Sequence, residues 1–401
     1  MTTTAEQVRA YRGPAILSFG FRPFFLAGAA WAATAVALWL PMLTGHLALP
    51  TAFAPLEWHV HELIYGYVPA IVAGFLLTAV PNWTGRLPVT GTPLLVLLLI
   101  WACGRLAVFS SRLLGPGFAA GIDLLFLAAL AAVIAREIIA GKNTHNLKVL
   151  AVIGLLFAGN VVFHVEAFYG SGRGLGTRIG IAAIVLLITL IGGRIIPSFT
   201  RNWLARRGPG RLPAPLDRFD AAVMLVSGSA LASWVIVPEY RGTALLAVAA
   251  GLANAIRLGR WAGDRTLAEP LVLVLHIAYA FVPVGFLLLA LGIWAPGIVA
   301  PSGALHGWTA GAVGLMKIAV MTRASLGHSG RPLTATRPIQ LIYAAAILAA
   351  LARITAAFGI MREPMLHVSA SAWVLAFVGF VVVYAPLLVK RRPSGSIPLG
   401  K

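Results

Sequence analysis

The chain has 401 residues, of which 59% are hydrophobic and only 11% are charged. This composition excludes an ordinary soluble domain, in which about 25% of residues are charged, and it predicts a polytopic membrane protein. The formal net charge is +19, but the basic residues are scattered between apolar segments, so we expect no nucleic-acid partner. The single cysteine, Cys103, excludes an intramolecular disulfide, a CxxC redox pair and covalent attachment of a c-type haem.

The fold class that the sequence predicts is all-α, with about twelve transmembrane helices in one bundle. Each predicted helix is an apolar run long enough to cross about 30 Å of hydrocarbon. In chain order the runs cover residues 24–40, 58–80, 93–109, 118–140, 147–169, 178–197, 221–237, 242–261, 270–291, 305–321, 339–358 and 368–389. We expect a single transmembrane domain over residues 1–401, with a cytoplasmic N-terminal segment at 1–21, a cytoplasmic linker at 201–218 and a tail at 393–401.

Lys and Arg residues are distributed unequally between the two sets of loops. Loops on one side hold 22 of the 31 basic residues, whereas loops on the other side hold five. The positive-inside rule therefore predicts that both termini are cytoplasmic. Six of the nine histidines then fall towards the outer, periplasmic side, at His46, His59, His61, His164, His306 and His367.

The densest group of ionisable residues opens the second predicted helix, at residues 57–62. Two imidazoles, His59 and His61, stand there beside the carboxylates of Glu57 and Glu62. Ionisable groups near hydrocarbon are costly unless they are paired or bound to a metal, and imidazole is a preferred ligand of copper, zinc and iron. We therefore expect these carboxylates to orient the rings of a metal or haem site with the candidate ligands His59, His61, His164 and His306. The alternative is a solvated cap at the membrane interface.

A second collection of polar residues lies at the predicted cytoplasmic ends of the helices. Arginine, histidine or amide side chains stand there beside glycine or proline and would suit haem propionates or a quinone head group; the candidates are Arg22, Trp83, Arg194, His276 and His328. His276 stands out because apolar residues on both sides give its ring no access to water. Lys317 in the tenth predicted helix is a candidate for a proton path or a substrate pocket. For the arginines, the alternative is that they extend to the lipid head groups.

Several sequence blocks together resemble those of the NnrS family. They recur in order from the first predicted helix to the loop after the tenth, at residues 21–24, 58–62, 74–85, 192–200, 275–279, 306–316, 321–323 and 327–331. The resemblance implies a bacterial inner-membrane protein of twelve spans that contains haem and copper and is associated with denitrification and resistance to nitric oxide. It assigns no role to an individual histidine.

The leading hypothesis is therefore a membrane metalloprotein that binds, detoxifies or turns over nitric oxide, with haem b and copper as the expected cofactors. Quinol is the expected electron donor if the protein is an oxidoreductase, and both the catalytic residues and the oligomeric state are left open. Two alternatives come from other classes. One is a proton-coupled secondary transporter that uses Lys317, Arg194 and His276, and the other is a haem or copper sensor or chaperone without catalysis.

Overall fold

The computed structural model describes residues 11–391 except 171 and 173. The predicted tail and the first ten residues of the predicted N-terminal segment lie outside this range. The described residues form helices and connections, without a strand. Besides short turns, the helices are α1 (Phe21–Leu43), α2 (Pro55–His61), α3 (Val68–Thr84), α4 (Thr92–Phe109), α5 (Pro116–Ala140), α6 (Leu147–Tyr169), α7 (Leu175–Leu204), α8 (Arg218–Ile236), α9 (Arg241–Gly259), α10 (Pro270–Trp294), α11 (Pro301–Ala304), α12 (Met316–His328), α13 (Arg337–Ala357) and α14 (Arg362–Val389).

Two segments of π-helix interrupt this series. One covers Glu62–Tyr67, between α2 and α3, and the other covers Gly307–Leu315, between α11 and α12. Eleven helical segments of the described chain are long and apolar enough to cross a membrane. The tenth predicted span, 305–321, is also helical, but its residues Gly307–Leu315 form the second π-helix and only the part that follows continues as α12. The predicted fold class is thus confirmed: this is an all-α, multi-pass membrane protein.

Prolines and glycines mark the helix ends, as their backbone chemistry requires. Pro55 and Pro116 occupy the first turn of α2 and α5, where the missing N–H costs no hydrogen bond. Gly85 ends α3 with a φ of 69°, a left-handed conformation that glycine adopts without strain. Glu166 near the end of α6 accepts hydrogen bonds from the backbone N–H groups of Leu175 and Gly176, and so caps the start of α7.

The chain divides into two compact units, and both are discontinuous in sequence. The first contains residues 1–180, 321–333 and 377–401, and the second contains residues 181–320 and 334–376. The predicted linker 201–218 lies inside the second unit rather than between the two. A single domain over the whole chain stays a prediction.

The predicted linker is held to its neighbours by arginines. Helix α7 runs on to Leu204, so the connection proper is residues 205–217. Arg211 pairs with Asp264, and Arg260 pairs with Asp217, the residue that caps the start of α8. These contacts with Arg260 lower the pKa of Asp217 to about 2. The connection is therefore an ordered part of the second unit.

Candidate metal centre

The first unit contains a buried polar cluster made by four membrane-spanning segments. His61 is the last residue of α2 and Glu62 is the first residue of the π-helix that follows it. The remaining members come from α4, α5 and α6, and they are Arg105, Asp123, Asn160 and His164. The cluster joins the beginning of the second and fourth spans to the C-terminal part of the third and fifth. Because successive spans cross the membrane in opposite directions, all of these residues lie towards one side of it.

Three side chains of the cluster converge on one point. His61 Nε2 lies 3.2 Å from Asp123 Oδ2, and His164 Nε2 lies 3.0 Å from the same oxygen. In the described chain this is the one group of three His, Cys, Asp or Glu side chains whose ligand atoms lie within 4.8 Å of one another. Asn160 donates to Asp123 Oδ2 at 2.8 Å and places its own oxygen 3.2 Å from His61 Nε2.

A second layer of groups fixes these side chains. His61 Nδ1 lies 3.0 Å from Glu62 Oε1, and Trp31 donates its indole N–H to Glu62 Oε2 at 2.6 Å. Arg105 Nη1 donates to both oxygens of Glu62 at 2.7 Å, and Nη2 donates to Asp123 Oδ1. One guanidinium therefore faces two carboxylates, and these three side chains are at most 3% exposed. The buried charge is net negative before a proton or a metal ion is added.

Two glycines leave room for this arrangement. A Cβ on Gly66 would lie 2.4 Å from Arg105 Nη1 and 2.7 Å from Glu62 Oε2. A Cβ on Gly104 would lie 3.2 Å from the backbone of Asp123. The carbonyl of Gly66 also accepts the indole N–H of Trp101 at 2.8 Å. The π-helix thus supplies both a cluster residue, Glu62, and the space in which Arg105 meets it.

A cavity of about 520 Å³ adjoins the cluster. Most of its lining is apolar, and His164 supplies an imidazole to its wall. The ring of Phe53, also in the lining, lies 5.3 Å from that of His61 and 5.7 Å from that of His164. A small apolar molecule in the cavity would therefore reach the edge of the cluster.

The donor set fits a transition-metal ion. Two imidazole nitrogens and one carboxylate oxygen are a common set for non-haem iron or zinc with open positions, and imidazole is also a good ligand for copper. The Glu62 contact at Nδ1 leaves Nε2 of His61 facing the common point, which is the carboxylate–histidine–metal arrangement of many metal sites. An ion there would take the place of the hydrogen bonds at Nε2. The cluster also offers the ion negative charge, which offsets the cost of burial.

The described residues fit haem less well at His276, a candidate cofactor-binding residue in α10. The Nε2 atom of His276 lies 2.8 Å from Thr200 Oγ1. On the other side of the ring, Gly263 packs so closely that a Cβ added to it would lie only 2.6 Å from Nδ1. An iron atom at the usual distance of about 2 Å would displace one of these neighbours. The geometry therefore does not favour a haem ligand at this position, and haem b stays a prediction.

Two other residues predicted for the outer site, Glu57 and His59, make contacts outside the cluster that contains His61. Glu57 is exposed and accepts the backbone N–H of Ala54 at 2.9 Å, which caps α2. The ring of His59 stacks on that of Trp39, with 3.9 Å between centroids. Residues two apart on a helix point in different directions, so His59 lies outside the group of three ligands. His306 is partly exposed and immediately precedes the second π-helix.

Two of the residues predicted at the cytoplasmic ends of the helices, Arg22 and His328, have different surroundings. Arg22 is buried and donates to the backbone carbonyls at the end of α14, which belong to Leu387, Leu388 and Lys390. The ring of His328 lies 5.5 Å from that of Phe19 and 5.6 Å from that of Phe21. Both residues therefore join parts of the first unit. Their predicted roles towards haem stay predictions.

Three further candidates, Lys317, Arg194 and Trp83, have separate settings. Lys317 is buried in α12. Arg194 is half-buried in α7. Trp83 at the end of α3 has its ring 6.3 Å from that of Phe75, and its carbonyl accepts a hydrogen bond from Asn143.

Four residues in or next to the cluster were not predicted from the sequence: Asp123, Arg105, Asn160 and Trp31. Asp123 and Arg105 did carry a signal, because each is an ionisable residue inside an apolar run and such residues mark functional sites. Asn160 and Trp31 carried none, because amides and indoles are common in membrane helices. The partner of each residue depends on which helices pack together.

The fold and the cluster together define a class: a helical, multi-pass membrane protein with a buried histidine and carboxylate centre. The model of the NnrS protein family matches residues 15–392. The chain therefore belongs to the NnrS family and is a membrane protein associated with nitric oxide. Among curated proteins, no match to the chain is found.

Proposed function

We propose that the protein binds a transition-metal ion, in the first instance copper, between His61, Asp123 and His164, and that it binds or reduces nitric oxide there. The observation that carries this proposal is the convergence of three ligand atoms within 4.8 Å in a buried cluster of net negative charge. Membership of the NnrS family supplies the association with nitric oxide. We place the centre at the periplasmic face of a bacterial inner membrane, as the distribution of basic residues predicts.

A bound copper or iron ion would supply an open coordination position for nitric oxide and a change of oxidation state. The chain's own residues set the conditions at that position. Glu62 orients the ring of His61, and Arg105 holds Glu62 and Asp123 in place while it balances part of their charge. Asn160 fixes the remaining contact of Asp123. The largely apolar cavity beside His164 would admit a small apolar gas to that side of the centre.

A proton-coupled transporter is the second candidate, and one observation favours it. Hydrogen bonds connect Glu62, His61, Asp123 and His164 in an unbroken series. Chains of buried acidic and histidine residues carry protons in membrane pumps and transporters. Metal binding separates the two functions, because a transporter of this type would work without a metal ion.

The test is to compare the metal content of wild type with that of His61→Ala, Asp123→Asn and His164→Ala, each purified from membranes in detergent. We expect about one copper or iron ion per wild-type chain and at least a tenfold lower content in each variant, because each substitution removes a ligand. Consumption of nitric oxide with an added reductant should fall in parallel. The matched control is His46→Ala, because His46 is exposed and should retain full metal content and activity.

Full metal content in all three variants would contradict the proposed centre. Proton-coupled flux through metal-free protein in liposomes, together with unchanged consumption of nitric oxide, would support the transporter instead. Haem is measured on the same samples by its pyridine complex, which tests the expectation of haem b separately from the His61 centre.

A further inference from the structure

The cavity beside His164 is larger than nitric oxide requires. Its volume is about 520 Å³, within the range of about 300–1,000 Å³ for sites that hold small organic molecules. A diatomic gas is of the same order of size as a water molecule, whose share of liquid volume is about 30 Å³. The cavity therefore has room for a substituted ring as well as for the gas.

The cavity wall has few polar groups, and Ser111 and His164 differ in the hydrogen bonds that they make within the protein. The hydroxyl of Ser111 is already engaged by Thr51 Oγ1 at 3.2 Å and by the backbone N–H of Ala52 at 2.8 Å. His164 is only 9% exposed, and its Nε2 faces Asp123. The contact with Asp123 uses Nε2, so Nδ1 is the second nitrogen of the ring that His164 contributes to the cavity wall. A ligand with one carbonyl or hydroxyl group could hydrogen-bond to that nitrogen.

The rim of the cavity is apolar and exposed. Its wall includes the C-terminal part of α6, where Val165, Phe168 and Tyr169 are 49%, 60% and 75% exposed. Because α5 and α6 are membrane-spanning segments, apolar side chains exposed on them face lipid. Tyr169 at the helix end has the amphipathic character of residues at the membrane interface. A ligand dissolved in the bilayer could enter at this rim.

We infer that the cavity binds a lipid-soluble quinone or quinol, with one ring oxygen hydrogen-bonded to Nδ1 of His164. A flat ring with two oxygens and an apolar tail matches the size of the cavity, its aromatic wall at Phe53 and the ring nitrogen of His164 that does not face Asp123. A phospholipid acyl chain would fill the same space but would make no hydrogen bond with that nitrogen.

The inference rests on the proposed function in one respect, the source of electrons. Oxidation of one quinol to the quinone releases two electrons and two protons. Two molecules of nitric oxide take up two electrons and two protons to give one N₂O and one water. A quinol at His164 would stand next to the centre through the same imidazole that faces Asp123.

The test uses Ala120→Trp, which places an indole in the cavity wall. The matched control is Ala128→Trp on the same helix, where residue 128 is exposed towards lipid. We measure the quinone extracted from the purified proteins and the binding of a short-chain benzoquinone by ultrafiltration. Ala120→Trp should bind at least tenfold more weakly than wild type with unchanged metal content, and Ala128→Trp should bind as wild type does. Should Ala120→Trp fail to fold, Ala167→Phe obstructs the cavity from α6.

Equal binding by Ala120→Trp and wild type would overturn the inference. So would extraction of a phospholipid, but no quinone, from protein whose retained lipid is lost in the same variant. The metal content of the same samples keeps the two proposals apart. Quinone binding without metal would support the cavity assignment and contradict the metal centre, whereas metal without quinone would do the reverse.

Discussion

Arg105 is the residue on which the buried cluster most depends. Its guanidinium donates to Glu62 through Nη1 and to Asp123 through Nη2, and all three side chains are at most 3% exposed. The planar fork of arginine can serve two carboxylates at once, which the compact ammonium of lysine does less well. Without it, two carboxylates would lie in an apolar region with only histidines and neutral donors to balance them.

Replacing Arg105 by alanine should strongly destabilise the protein. Removing one partner from a buried ion pair typically lowers the free energy of unfolding by about 3–5 kcal/mol, because the remaining charge is left uncompensated. We expect a lower midpoint of thermal unfolding in detergent, with an intermediate value for Arg105→Lys. The control is Arg112→Ala, since Arg112 is exposed. A midpoint for Arg105→Ala equal to that of the control would show that the cluster does not depend on this charge.

At the scale of single elements, the two π-helices set the local register of the candidate residues. One follows His61 directly and the other follows His306 directly. A π-helical turn contains an extra residue, and such turns occur frequently at functional sites. The hydropathy pattern could not predict either of them, because these spans are apolar around their whole circumference and show no periodicity. In the sequence, only His61 and His306, which directly precede the two π-helices, marked these segments as candidate functional sites.

Gly66→Ala tests the first π-helix with a single methyl group. The added Cβ would meet Arg105 Nη1 and Glu62 Oε2, so we expect a lower metal content and a loss of about 1–3 kcal/mol in stability from overpacking. In contrast, Gly154→Ala on α6 adds a methyl group where no atom lies within 4 Å. That control should be neutral or slightly stabilising, because alanine favours the helix over glycine. Equal metal content in the two variants would contradict the proposed role of the close contact.

The helices themselves were largely predictable, and the site only in part. The length of each apolar run predicts a span, but the helix continues where polar residues follow it, as in α7, which covers Leu175–Leu204 instead of 178–197. For the site, charge next to apolar residues indicated His61, Glu62 and His164. It could not indicate that His61 meets Asp123 rather than His59. That choice depends on the direction of each side chain around its helix and on the packing of α5 against its neighbours.

At the scale of the whole molecule, the cluster agrees with the alternation of the predicted spans. His61 begins the second span, Arg105 is near the end of the third, Asp123 is near the start of the fourth and His164 is near the end of the fifth. Successive spans run in opposite directions, so all four residues must lie at one end. The distribution of Lys and Arg predicts that this end faces the periplasm.

The predicted orientation can be measured with single cysteines, because Cys103 is the only native cysteine. In a Cys103→Ala background, His46→Cys lies in the connection between α1 and α2, and Arg207→Cys lies in the connection between α7 and α8. A thiol reagent that cannot cross membranes should label the former in intact cells and the latter only after permeabilisation. Labelling in the opposite order would reverse the orientation and place the cluster towards the cytoplasm.

The contacts of Arg22 have a consequence for biogenesis. This guanidinium at the start of α1 is held by backbone carbonyls at the end of α14, and residues from 377 onwards belong to the same compact unit as the N-terminal half. Helices emerging from the ribosome enter the bilayer one after another, but the first unit cannot close until α14 has been synthesised. A truncation before residue 387 would therefore leave α1 without these contacts.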